Sequence, residues 1–538
     1  TGVMKKVGAT NEDGSRDELT EEKEIDHSSN RKKEARFRQA SQTPLLREPL
    51  GGEFGYLRIG LAAEEVLRGE YESPEGTDMY AAKLIPHLKM VPQAEHAPLI
   101  STVIETEKYC AGWNKAKERT SSGPSGLNFS QFKAGCRNPR VAGFEACMAN
   151  VPYSTGYSPR RWRFGTDAML EKKKDLIRVD KLRTILLYEG DFNLVNKILG
   201  RDIMKNAELH FGIAKEQFGS RKAMNAIIHA LNKRLTLDLM RQKRQPGALC
   251  SNDAKSCYDR IVHSVASLCM RRQGTPEAPI VCMFTTIQNL EHTVRTAYGD
   301  STIGYGGELW AVPMQGVGQG NGAGPTIWAV VSTPVLEMMR AEGFGARFHT
   351  AISGSQVKFV GYAFVDDTDL VQTARTPTGT ALEVTWEMQR ALEHWEGGIR
   401  ATGGAIVPEK SYWYLIDFAW RNGQWDYVLI EDAPAEIRVR DSNGIVAPLE
   451  RVETSEGRRA LGVRIAPDGN NADELEHLRG VANKWKEQVR TGHLDRRDAW
   501  QALTTTVMRT IQYPLLVTTF TEEECKYIMA PILMSGLP

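Results

Sequence analysis

The sequence predicts an α+β chain, and three observations carry that expectation. Between residue 246 and about 420, strand-like runs rich in Val and Phe alternate with helical patterns. Helical, basic sequence precedes this stretch from 166 to 245, and helical periodicity returns from 475 to 530. With 538 residues, 41% of them hydrophobic, the chain is long enough for two to four domains, each with a core of its own.

Residues 1–48 read as solvated and flexible, because TNEDGSRDELTEEKEIDHSSNRKKEARFRQ has too few apolar groups to offset its ordering entropy. Within it, RKKEARFR reads as a solvated charge run ahead of a nuclear import signal. The expected location is intracellular, nucleus or cytoplasm. Residues 49–165 mix helical patterns such as AAKLIPHLKMV with the loop TSSGPSGLNFS and carry no repeat; they form an extension of unknown role. The stretch 166–245 ends in MNAIIHALNKRLTLDLMRQKRQ, where Met224, Ile228, Leu231, Leu235 and Leu239 recur at helical spacing. Its basic residues Lys233, Arg234, Arg241, Lys243 and Arg244 line a solvated face or track a nucleic-acid backbone.

The formal net charge of +1 neither favours nor excludes a polyanionic partner. Eight scattered cysteines, with no CxxC pair and no Cys/His block at zinc spacing, predict a reduced chain without structural zinc. The most apolar long stretch, PTIWAVVSTPVLEMM, is broken by Pro334, so no membrane span is expected. A start at Thr1 and an end at GLP suggest a fragment of something longer.

Three acids hold the chemistry. In GALCSNDAKSCYDRIVHSV a short strand reaches Asp253 and a helix follows, with Ile261, Val265 and Leu268 on one face. VKFVGYAFVDDTDLVQ reads as two β-runs joined at Asp366 and Asp367, a hairpin with acids at its tip. If these strands are neighbours, three carboxylates converge, and such a cluster stays partly protonated or holds a cation. Oxygen-only ligands suit Mg²⁺. Two such ions, about 3.5–4 Å apart, serve an in-line displacement that activates a hydroxyl and steadies leaving pyrophosphate. That is nucleotidyl transfer. Asp259 is expected to cap the next helix or pair with a base, and Asp369 to face solvent. Between the acids lies MQGVGQGNGAGPTIWAVV, whose five glycines from Gly316 to Gly324 leave the backbone bare. With Gln319 they offer a surface for a base pair or sugar, and Pro325 opens a helix.

These motifs, in this order, resemble the reverse transcriptases of non-long-terminal-repeat retroelements and group II introns, over roughly residues 165 to 470. DAKSCYD, from Asp253 to Asp259, is similar to the first palm motif. QGNGAGP, with Gln319 and Gly320, is similar to the glycine motif, Gly324 standing where serine is usual. FVDD, from Phe364 to Asp367, matches the aromatic-x-Asp-Asp motif. In KLRTILLYEGDFNLVNKILGRD, Arg183 keeps the family's arginine, Thr184 replaces a proline and Asn193 stands where lysine is frequent. EQFGSRKAMNAI makes Arg221 and Lys222 candidates for the incoming triphosphate. TGGAIVPEKSYWYLI ends in Lys410, a proton donor for pyrophosphate, and LGVRIAPDG from Leu461 resembles the primer-gripping hairpin.

The resemblance implies a right-hand polymerase with helical fingers at 166–245, a palm sheet at 246–470 and a helical thumb at 471–538. It implies DNA synthesis on an RNA template from a DNA primer and deoxynucleoside triphosphates. Two Mg²⁺ ions, with Mn²⁺ as an alternative, would be held by Asp253, Asp366 and Asp367. Tyr258 would exclude a 2′-hydroxyl, with Arg183, Gln319 and Gly320 among the substrate contacts. No endonuclease or ribonuclease H motif is visible. Two rivals stay open. An RNA-dependent RNA polymerase would carry an acid where Tyr258 stands. A decayed or domesticated copy, binding RNA or protein without catalysis, draws on the departures at Gly324, Thr184 and Asn193.

Overall fold

The structure is a computed structural model and describes the chain except residues 1–6, 11–15, 58, 93–99, 122, 173–177, 180–181, 297, 308–311, 351, 377–378 and 537–538. It is α+β, with mixed sheets. Contacts divide it into two units: residues 1–214, 254–338 and 395–405, and residues 215–253, 339–394 and 406–538.

The first unit is largely helical, with Pro139–Thr155, Gly190–Leu209 and Glu277–Gln288 among its longer helices. Its sheet is centred on Phe164–Glu171, antiparallel to Leu182–Leu187 and parallel to Glu291–Thr296. Two short strands, Gly299–Asp300 and Tyr305–Gly306, add to the last of these; they fall in the stretch TAYGDSTIGYGGELW, of which residues 297 and 308–310 lie outside the described residues.

The expectation of a solvated segment over 1–48 is not met at its described residues; residues 1–6 and 11–15 lie outside them. Val7–Thr10 pairs with Arg16–Leu19, and Glu22–Arg38 is a helix with Ile25, Asn30, Lys33 and Phe37 buried. RKKEARFR is therefore only partly a solvated run. Local composition misses this because the helix is held by distant partners: Phe37 packs on His292 at 5.2 Å between ring centres, and Asn30 Nδ2 donates to the Ile303 carbonyl. Ion pairing seats the rest, with Arg36 2.5 Å from Asp259.

The second unit contains a five-stranded sheet in the order Gly361–Phe364, Asp367–Thr373, Gly247–Asp253, Tyr412–Ile416, Glu450–Arg451. The first four are antiparallel neighbours. Leu249, Cys250, Leu370, Val371 and Trp413 are wholly buried, so the central strands are covered on both faces, which their continuous apolar runs require. One core joins the sheet to helix Ala226–Lys243 and to the hairpin Arg458–Ala460/Val463–Ile465. That helix turns differently from the expected stripe: Ala230, Lys233, Leu237 and Met240 face inward and Leu235 is exposed. The basic residues are correspondingly engaged by protein. Arg234 donates to the Gly469 carbonyl, Arg241 to that of Asp468 and Lys243 to that of His349, while Arg244 lies 5.4 Å over the Phe418 ring.

C-terminal to the sheet, helices Ala472–Gly492 and Glu522–Gly536 share a small core of Leu478, Trp485, Ile511, Ile528 and Ile532. Among the described residues no helix is long and apolar enough to cross a membrane.

Candidate active site

Asp253 ends its strand with Asp367 as its register partner, and Asp367 in turn pairs with Phe364 to close the hairpin. Directly opposed residues of an antiparallel ladder lie about 4.5–5.5 Å apart at Cα and project to the same face. Asp369, two positions on, shares that face, opposite Ser251. Asp366 sits in the turn itself, after Val365.

Val365 has φ +57°, a left-handed conformation that costs a β-branched residue about 1–2 kcal/mol. A fully buried amide holds it there. Gln217 Oε1 accepts the Val365 N–H at 3.2 Å and the Gly219 N–H at 2.8 Å. The same segment continues the sheet outward: Ala363 N–H donates to the Glu216 carbonyl at 2.8 Å, and Phe218 N–H to the Ala363 carbonyl at 2.7 Å. EQFGSRK thus braces the acid hairpin. Arg221 donates to the Gln217 carbonyl at 3.1 Å, and Lys222 next to it is exposed.

A second brace wraps Asp253. Its carbonyl accepts from Val407 N–H at 3.0 Å, and Lys410 Nζ stands 2.8 Å from its Oδ2. Lys410 therefore meets the acid edge as a counter-ion. The Asp367 side chain reaches solvent, yet protein around its carboxyl, and then the charges of Asp366, Asp369 and Asp253, push its pKa up to about 6.

Asp369 does not face solvent as expected. It is buried beneath this edge, with Lys233 Nζ 3.0 Å from Oδ1 and His229 Nε2 3.0 Å from Oδ2. Burial alone would raise its pKa; the Lys233 ammonium and the His229 contact hold it well below the usual carboxylate range. Lys233 was expected on a solvated face or against nucleic acid, and this carboxylate is the reason it turns inward. Neither Gln217 nor the Lys233–Asp369 pair was singled out as part of the site. A His and a Lys four residues apart, His229 and Lys233, are the one signal that pointed there.

The first unit holds the other candidates. The loop glycines are used for close packing against protein. A side chain at Gly320, φ +134°, would meet the Leu186 carbonyl oxygen at 2.2 Å. Leu186 N–H donates to the Gln319 carbonyl at 2.7 Å, and Asn193 clamps the loop, donating to the Gly320 carbonyl and accepting from Gly322 N–H. This gives Asn193 a structural task in holding the loop. Tyr258 accepts from Val317 N–H through its carbonyl, and a side chain at Gly324 would lie 3.5 Å from its ring. Arg183 is exposed on its strand, opposite Leu170. Asp259 pairs with Arg36, a base, as one of its two expected roles.

Among the described residues no three His, Cys, Asp or Glu side chains form a ready-made metal cage. Mg²⁺ does not require one, since it binds through one or two carboxylates together with water and substrate phosphates. The edge offers oxygen ligands, mutual repulsion and a carboxylate already engaged by a cation, Lys410, so the donor set fits such an ion. Neither a scan against protein-family models nor a search of curated proteins finds a match to the chain.

Proposed function

We propose that the chain is an RNA-directed DNA polymerase of right-hand architecture. The observation that supports this most is the register: Asp253 and Asp367, 114 residues apart in sequence, are direct partners on adjacent strands, with Asp366 in the turn between the hairpin's arms. A carboxylate pair of that kind destabilises a strand end unless something positive joins it. Mg²⁺, when bound, supplies Lewis-acid activation of a primer 3′-hydroxyl and neutralises charge on departing pyrophosphate.

Asp253, Asp366 and Asp367 would hold the ions. Gln217 fixes the turn so that these oxygens keep their positions. Lys410 holds Asp253 when no ion is present and, released, is a proton donor within its reach. Arg221 and Lys222 offer guanidinium and ammonium to a triphosphate, and Arg183, Gln319 and Gly320 contribute substrate contacts. Tyr258, five residues after Asp253, selects the deoxy sugar.

Primer extension on an RNA template with Mg²⁺ tests the proposal. The native chain extends with deoxynucleotides and Asp366→Asn does not, while Tyr258→Val admits ribonucleotides. Equal activity in native and Asp366→Asn chains, or none in either, favours a binding module without catalysis. A native preference for ribonucleotides favours an RNA-dependent RNA polymerase.

A further inference from the structure

Cys110 and Cys136 stand 26 residues apart in sequence and come from different helices of the first unit, Thr106–Asn114 and Phe129–Gly135, the second of which ends on Cys136. The fold sets these helices side by side. Trp113 stacks on Phe132 with ring centres 4.3 Å apart and meets Phe129 edge-on at 5.3 Å. Cys110 lies three residues before Trp113 and Cys136 four residues after Phe132, so each cysteine sits one turn from the aromatic that joins its helix to the other. There the sulfurs meet: the Cys136 thiol donates to Cys110. Both thiols are free and only half-buried, whereas Cys250, Cys257, Cys269 and Cys282 are buried. Burial first, then the contact with Cys110 and the charge of Glu145 from helix Pro139–Thr155, push the Cys136 thiol up to about 12. Cys136 therefore keeps its proton at neutral pH, and the first attack on an oxidant falls to Cys110.

We propose that Cys110 and Cys136 are a modification site, a dithiol that a hydroperoxide oxidises reversibly to a disulfide. Cys110 sulfur, as thiolate, attacks the terminal peroxide oxygen; an S–O bond forms, the O–O bond breaks, and the departing alkoxide takes up the Cys110 proton as an alcohol. Cys136 sulfur then attacks the sulfenic acid; the S–S bond forms, the S–O bond breaks, and hydroxide leaves with the Cys136 proton as water. The two thiols lose two electrons that the peroxide gains. The bond restrains the segment between the helices, whose Ser125 donates from its backbone and its hydroxyl to Glu189 at the head of helix Gly190–Leu209. None of this uses the polymerase reading.

A thiol map of the full chain tests the proposal. The reduced chain, freed of reductant and held at low concentration so that links between chains are suppressed, is treated with stoichiometric hydrogen peroxide. It is then alkylated with iodoacetamide in urea, digested and read by mass spectrometry. A linked pair of peptides carrying Cys110 and Cys136, lighter by two hydrogens than their sum, is expected. The free-thiol count falls by two and dithiothreitol restores it. In Cys136→Ser, checked for native circular dichroism, oxidation stops at the Cys110 sulfenic acid, which dimedone labels. The native map needs no variant, so it decides the matter even if Cys136→Ser fails to fold. Cys110 and Cys136 both still alkylated after peroxide, or linked only to other cysteines, overturns the assignment.

Discussion

Asp253 and Asp367 face each other as direct partners across an antiparallel ladder, one closing its strand and the other opening the next. Nothing in strand propensity favours this, since aspartate is depleted in strands and like charges in opposed positions oppose pairing. Stability without a bound cation should therefore improve when one charge is removed. Asp367→Asn is predicted to raise the urea midpoint of the metal-free chain, by an amount equivalent to roughly 0.2–1 kcal/mol. A lowered midpoint would mean that the carboxylate makes a net stabilising contact.

The buried Lys233–Asp369 pair should behave in the opposite way. Lys233→Met leaves Asp369 in the core without its ammonium, and breaking one side of a buried pair costs about 3–5 kcal/mol. Replacing both, as Lys233→Met/Asp369→Leu, should recover most of that loss. Denaturant unfolding of the two variants measures the difference, and equal losses would show that the ammonium does not serve the carboxylate.

His263 makes stability in the first unit depend on pH. Its ring is fully buried, Nε2 donating to the Gly316 carbonyl at 2.7 Å while Nδ1 accepts from the Gln288 amide at 3.1 Å. Burial pushes its pKa down from 6.5 to about 4. The unfolded chain therefore takes up the proton first as pH falls. Stability is fully present above about 6.5, declines as pH falls toward about 4, and loses about 3 kcal/mol over the interval. Urea unfolding at pH 7 and pH 5 should show a smaller pH effect in His263→Gln than in the native chain. Equal effects would contradict the buried neutral ring.

How far this was legible in the sequence depended on whether the cause was local. The Asp253 strand, the hairpin at Asp366 and Asp367, the helix opened by Pro325 and the C-terminal helices all followed from periodicity and turn chemistry. The inward turn of Lys233 did not, because its partner Asp369 is 136 residues away and a helix of mixed charge reads as solvated until the partner is known. The N-terminal helix was missed for the same reason, its buried Lys33 and half-buried Arg36 depending on Thr184 and Asp259. The loop glycines were recognised, but whether bare backbone meets ligand or protein is not written in glycine spacing. Here Leu186 and Asn193 occupy that space.

The central claim is that the acid at the end of one strand and the pair at the neighbouring hairpin share a divalent-ion site, and iron-directed cleavage measures that most directly. Fe²⁺ in place of Mg²⁺, with ascorbate and peroxide, generates hydroxyl radicals that cut the backbone where the ion is held. Cuts are predicted near both residue 253 and residues 366–367 of the native chain, suppressed by Mg²⁺ and lost together in Asp253→Asn and in Asp366→Asn. Cleavage at one segment alone, or cuts that persist in both variants, would contradict a shared site.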